Sequence, residues 1–92
     1  MTEFERLVDI MRKLREPDGC KWDREQTHAT LKPYLIEEAY ELLDAIDSGD
    51  DPEIILELGD VLLQVVFHAQ VASETARFSI EDVARAIAEK LV

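Results

Sequence analysis

A single cysteine, Cys20, is all the thiol chemistry available to this chain. That excludes an intrachain disulfide and any cysteine-built zinc site, and it points to a reducing compartment, with the cytoplasm as the expected location. Glycine and proline number three each, and no repeat, low-complexity tract or strand-like alternation is present. Long apolar runs are missing too. Met1 to Arg15 is charged and amphipathic rather than continuously apolar like a signal peptide, and no later segment reads as the roughly 20 consecutive apolar residues of a membrane span. A soluble chain is the expectation.

Scarcest of all is positive charge in the middle of the sequence. All ten Lys and Arg lie outside residues 33–76, a window that holds eleven Asp and Glu. A formal charge of -11 disfavours a nucleic acid backbone or an anionic membrane surface, while 47% hydrophobic residues make the chain too apolar to be disordered. Cations are the natural partners. At 92 residues the chain is read as one small domain spanning 1–92. A domain this size buries only about 60–65% of its unfolded surface, so help from a partner subunit is expected. The sequence stops two residues after Lys90 with no capping signal, which suggests a longer parent protein.

Helical periodicity organises what is present. Phe4, Leu7, Val8, Ile10, Met11 and Leu14 recur at helical spacing behind a Thr2 cap with Glu5 three residues on, predicting a first helix over about 3–15. Pro17 to Gln26 reads as an ordered loop. A second helix is predicted from Thr27 or Thr30 to about Asp47, with Pro33 tolerated in its first turns. Gly49 as C-cap, Asp51 as N-cap and Pro52 at the first helical position make a tight connection, so the third helix, to about Ala76, runs antiparallel to the second. Ser79 and Asp82 resemble a capping box opening a fourth helix through Leu91. The expected fold is all-α, a four-helix bundle.

The acids on the middle hairpin carry the chemistry. Glu38 lies at the edge of the apolar arc of the second helix and Glu41 a little beyond it, whereas Glu37, Tyr40 and Asp44 lie opposite. The third helix is apolar nearly all round and is therefore predicted to be buried, its polar stripe being Glu57, Asp60, Gln64 and His68. Carboxylates on a buried helix persist when paired or bound to metal. Glu41 and Glu57 are each eight residues from Gly49, and Glu38 and Asp60 are each eleven, so an antiparallel hairpin brings the four to two matched levels. Those levels are about 4.5 Å apart. Four carboxylates without histidine or thiolate form a hard, oxygen-only site suited to Mg²⁺ or Mn²⁺ and, through the ion, to a polyphosphate.

The run Glu37-Glu38-Ala39-Tyr40-Glu41, followed after fifteen residues by Glu57-Leu58-Gly59-Asp60, resembles the EExxE and ExxD signature of the MazG family of all-α nucleoside triphosphate pyrophosphohydrolases. Gly19-Cys20-Lys21-Trp22-Asp23-Arg24-Glu25-Gln26-Thr27-His28 resembles that family's GCPWD-x-x-QTH segment, with Lys21 where proline is usual. The resemblance implies hydrolysis of a nucleoside triphosphate to NMP and pyrophosphate, a MazG-type bundle, and a homodimer or dimer of dimers. Glu38, Glu41, Glu57 and Asp60 are then the metal ligands. Glu38 and Glu41 are the catalytic candidates, a metal-activated water being the nucleophile and Glu38 a possible general base. Lys21, Trp22, Arg24, His28 and Lys90 are candidate substrate contacts, with Trp22 either stacking on a base or anchoring its loop on the bundle. His28 alternatively makes a helix-end hydrogen bond, and His68, about 12 Å from Asp60 along the axis, is read as structural. Gly59 in mid-helix suggests close helix approach or room for a metal. Two rivals are a ferritin-like di-iron bundle, for which only Glu25-x-x-His28 is available, and a catalytically weak or inactive metal-binding dimerisation or regulatory module of a larger protein.

Overall fold

Three helix starts are set by side chains that bond the otherwise unpaired backbone N–H groups of the first turn. Thr2 and Glu5 bond reciprocally at 3.1 Å each and open α1, Glu3–Leu14. Thr27 and Thr30 do the same for α3, His28–Ser48, at 3.2 and 2.8 Å. Ser79 and Asp82 open α5, Ile80–Leu91. Between them lie α2, Lys21–Glu25, and α4, Asp51–Ser73. The computed structural model describes all 92 residues and contains no strand, so the all-α expectation holds.

Several boundaries differ from the sequence reading. The segment read as a loop from Pro17 to Gln26 contains α2, whose five residues are too few to show a period. Asp50, not Asp51, is the residue before α4, and its side chain makes no capping bond; Pro52 still falls in the first turn. Gly49 closes α3 at φ 71, the left-handed geometry that glycine adopts without strain. α4 ends at Ser73, and the chain then turns through Ala76 at φ 55. α4, 23 residues long, contains an 18-residue stretch with a mean hydropathy of 1.6, enough to cross a membrane by length and composition alone. It nevertheless carries Glu57 and Asp60 and packs along α3.

The core sits at one end of the α3–α4 hairpin. Met11 of α1, Leu31 of α3 and Val66 and Phe67 of α4 are almost fully buried, with Leu7, Val8, Leu14, Leu63, Val71 and Ile80 packed around them. Beyond this core the hairpin projects outward. The radius of gyration of the whole chain, 14.2 Å, exceeds the roughly 12 Å expected for a chain of this length. Ile36, Leu43 and Ile46 on α3 and Ile55, Leu58, Leu62 and Val65 on α4 are all exposed. The prediction that α4 is buried all round therefore fails for the single chain. Phe4 and Tyr34 also lie at the edge of the core rather than within it.

Arg15 ties three helices together and was not singled out by the sequence. Its side chain, 9% exposed, donates to both Glu74 oxygens at 2.7 and 2.8 Å and to the carbonyls of Asp23 and Gln26 at 2.6 and 3.0 Å. The Arg15 hydrogen bond holds the Glu74 carboxyl below its usual range, against the opposing effect of burial. Its contribution is therefore present above pH 4.5, the ordinary Glu value, and is lost as pH falls through the lowered folded value. Arg15→Ala is expected to cost about 2–4 kcal/mol in urea unfolding at pH 7, with the deficit shrinking below pH 4.5. A deficit that does not change with acid would detach Glu74 from this account. Gly19 closes the same region, where an added Cβ would overlap the carbonyl oxygens of Lys13 and Leu14.

Candidate metal centre

The antiparallel register places the four acids as their spacing requires. Carboxylate oxygens from Glu38 and Glu41 on α3 and from Glu57 and Asp60 on α4 lie within 4.8 Å of one another. Glu38 and Glu57 are half-buried, and Glu41 and Asp60 form the solvent side. None of the ion pairs in the molecule involves any of the four. Glu38 Oε2 and Glu57 Oε2 are buried with no hydrogen-bond donor. Leaving such oxygens unpaired is costly.

Proton affinity responds as electrostatics demands. Burial first, then the charges of Asp60 and Glu41, push the Glu38 carboxyl up to about 7. Glu57 is raised by burial, then by Glu41 and Asp60. Like charges gathered in one place disfavour one another's ionised forms. Either protons or a cation must relieve the cluster, and four oxygen donors with two orphaned atoms fit a hard divalent ion.

The other sequence candidates are spread over several elements. Trp22 of α2 sits edge-on to Tyr34 at 5.5 Å and to Phe67 at 6.3 Å, which anchors α2 on the hairpin while leaving the indole 48% exposed. Tyr34 precedes Glu38 by one turn of α3, about 6 Å along the axis. Lys21 is exposed and 3.8 Å from Glu25, and Arg24 donates to the Pro17 carbonyl at 2.8 Å. Gln26 is buried, bonded to the Trp22 carbonyl and to Thr30. His28 has both ring nitrogens engaged, with His68 and with Arg77. Lys90 lies exposed in the last turn of α5. Glu37 is exposed and outside the cluster. A Cβ at Gly59 would meet nothing within 4 Å, so no close approach within the chain explains that glycine.

Two residues gain significance only in three dimensions. Gln64, on the polar stripe one turn from Asp60, is buried with Oε1 unpartnered. Arg77, the first basic residue after the base-free window, meets His28 rather than a carboxylate.

Fold and cluster together define an all-α domain whose central hairpin gathers four carboxylates into one oxygen-only centre. The family model of the MazG nucleotide pyrophosphohydrolase domain matches residues 26–92, and the chain belongs to that family. It is 65% identical over 89 residues to the nucleoside triphosphate pyrophosphohydrolase/pyrophosphatase MazG of Thermotoga maritima, covering 97% of this chain and 35% of that protein. It is 52% identical over 92 residues to the nucleoside triphosphate pyrophosphohydrolase of Escherichia coli, covering 99% and 35%. YabN of Bacillus subtilis, an uncharacterized protein, is 54% identical over 90 residues, covering 98% and 18%. The chain thus spans about a third or less of the length of these curated relatives.

Proposed function

We propose that this chain hydrolyses nucleoside triphosphates to NMP and pyrophosphate with the help of Mg²⁺, or alternatively Mn²⁺, held by Glu38, Glu41, Glu57 and Asp60. One observation carries the reading: four carboxylates converge within 4.8 Å on a helical hairpin that supplies no basic partner. Family membership and the names of the relatives support it.

A bound divalent ion supplies charge neutralisation at phosphate oxygens and acidifies water. The chain's own groups divide the remaining work. Glu38, with a proton affinity near neutrality, is the group we assign to accept a proton from the attacking water. Glu41 adds a further oxygen from α3, and its charge helps to raise the proton affinity of both Glu38 and Glu57. Asp60 and Glu57 complete the oxygen set from α4. Trp22, half-exposed beside Tyr34, offers a face for a nucleobase, and Lys21 and Arg24 on the same short helix and Lys90 of α5 are the residues we assign as phosphate contacts. The free thiol of Cys20 suits a reducing, cytoplasmic setting.

The projecting apolar stripes favour a second copy of the chain as the partner that completes the bundle. No basic residue lies in the window from 33 to 76, so any cation other than the metal must come from outside it.

A panel of nucleoside triphosphates incubated with Mg²⁺ is expected to yield pyrophosphate and NMP in equal amounts, with no product after chelation by EDTA. Orthophosphate with NDP as the products would overturn the assigned bond cleavage. Tight Mg²⁺ binding with no turnover of any nucleotide would favour the non-enzymatic module.

A further inference from the structure

Away from the acids, two imidazoles and a guanidinium form a chain across three elements. His28 Nδ1 on α3 and His68 Nδ1 on α4 are 2.7 Å apart, and the ring planes lie within 3° of parallel with centroids 5.0 Å apart. Arg77 Nη2, from the α4–α5 connection, is 2.7 Å from His28 Nε2. A guanidinium only donates, so His28 Nε2 must accept and carry no proton. The His28 proton therefore sits on Nδ1 and is donated to His68 Nδ1, which must in turn be bare. Both rings are neutral, each in one tautomer.

No position on this chain accepts an additional proton. Protonation of His28 at Nε2 sets an N–H against the guanidinium. Protonation of His68 at Nδ1 sets two N–H groups face to face, and escape by tautomer exchange moves the His28 proton to Nε2, against Arg77 again. The surroundings offer no relief. Glu74 of α4 is tied to Arg15 from the end of α1, and Asp82 of α5 to Ser79 and Arg85. Lys32, one turn along α3, adds positive charge.

Arg77 is the hinge of the connection. Its backbone N–H bonds the Ala72 carbonyl at 3.1 Å, directly after Ala76 at φ 55, a conformation unfavourable for a residue with a Cβ. α5 itself contributes no buried residue, so its attachment leans on this connection and on Ile80.

We propose that the His28–His68 pair is a proton-operated latch: uptake of one proton expels the Arg77 guanidinium and loosens the seat of α5. Burial, then the neighbouring His28, holds the His68 ring below its ordinary value of 6.5, so the latch is shut at neutral pH and opens on acidification.

The test is ¹⁵N spectroscopy of the histidine rings together with hydrogen exchange of the 92-residue chain. At pH 8 the Nδ1–H tautomer is expected for His28 and the Nε2–H tautomer for His68. As pH falls to 5, protection factors of the α5 amides should drop roughly tenfold, with the midpoint of the ring titration. Arg77→Gln keeps the acid cluster, and glutamine accepts as well as donates. In that variant the ring midpoint should rise and the α5 response should vanish. A proton on His28 Nε2 at pH 8 would overturn the proposal, as would an α5 response that persists undiminished in Arg77→Gln, since that response would belong to the acids.

Discussion

Asp60→Asn is expected to stabilise the metal-free chain while removing tight divalent binding. The two effects have one cause. Asp60 is the largest charge contribution to the raised Glu38 proton affinity, after burial, so neutralising it relieves repulsion in a cluster with no basic partner. The gain is on the order of 0.5 kcal/mol, a few degrees in the melting temperature of a domain this size. Replacing one of the four carboxylates by a neutral amide should weaken Mg²⁺ binding by at least about 100-fold and lower turnover by roughly 10²–10³. Glu41→Gln should behave alike, with helical content unchanged in both.

The pH dependence follows with a definite sign. Glu38 and Glu57 have raised proton affinities in the folded chain, so their stabilising contribution is full below 4.5 and is lost as pH rises through about 7 for Glu38. Metal-free wild type should therefore melt at lower temperature at pH 8 than at pH 5, and Asp60→Asn should flatten that slope. Because protons and cation compete for the same oxygens, Mg²⁺ affinity should increase over the same interval. Melting curves and titration calorimetry with and without Mg²⁺ check all three statements. Wild-type binding and turnover in both Asp60→Asn and Glu41→Gln would remove the four acids from the proposed site.

Leu62→Asp is expected to convert a dimer into a monomer. Ile55, Leu58, Leu62 and Val65 recur at spacings of three and four along α4, and Ile36, Leu43 and Ile46 lie along one face of α3, all 39% or more exposed. Two adjacent apolar stripes on a hairpin match the seam of a four-helix bundle, and in the proposed dimer a second hairpin of the same sequence would supply the missing half. In a two-fold interface each substitution acts twice. Losing two leucine side chains at about 2 kcal/mol each weakens association by roughly 10³. Light scattering should show twice the chain mass of 10.5 kDa for wild type and that mass itself for the variant. A monomeric wild type at high concentration would leave these stripes without the proposed partner.

Much of the fold was legible because it rests on local rules. Thr2 with Glu5 and Ser79 with Asp82 announce helix starts through reciprocal bonds three residues apart, and Gly49 announces a stop through the sign of its φ. The convergence of Glu38, Glu41, Glu57 and Asp60 was legible for a related reason: a short turn fixes antiparallel register, and register converts counting from Gly49 into depth. α2 was missed because its five residues are held by Trp22 on Tyr34 and Phe67 and by Gln26 on Thr30, contacts that no periodicity encodes. The burial assigned to α4 was wrong for one chain because an apolar circumference says that a helix needs cover without saying that its own chain provides it.

Sequence alone determined that this protein is all-helical, that its central acids lack basic neighbours, and that four of them share two levels of a hairpin, since each follows from spacing along one or two adjacent helices. Tertiary structure decided what depends on residues far apart in the chain. It set which carboxylate oxygens are buried without a donor, bound Arg15 to Glu74 across 59 positions, and joined His28, His68 and Arg77 into a single proton-bearing chain. Solvation and hydrogen-bond direction are properties of an assembled neighbourhood, and only folding assembles it.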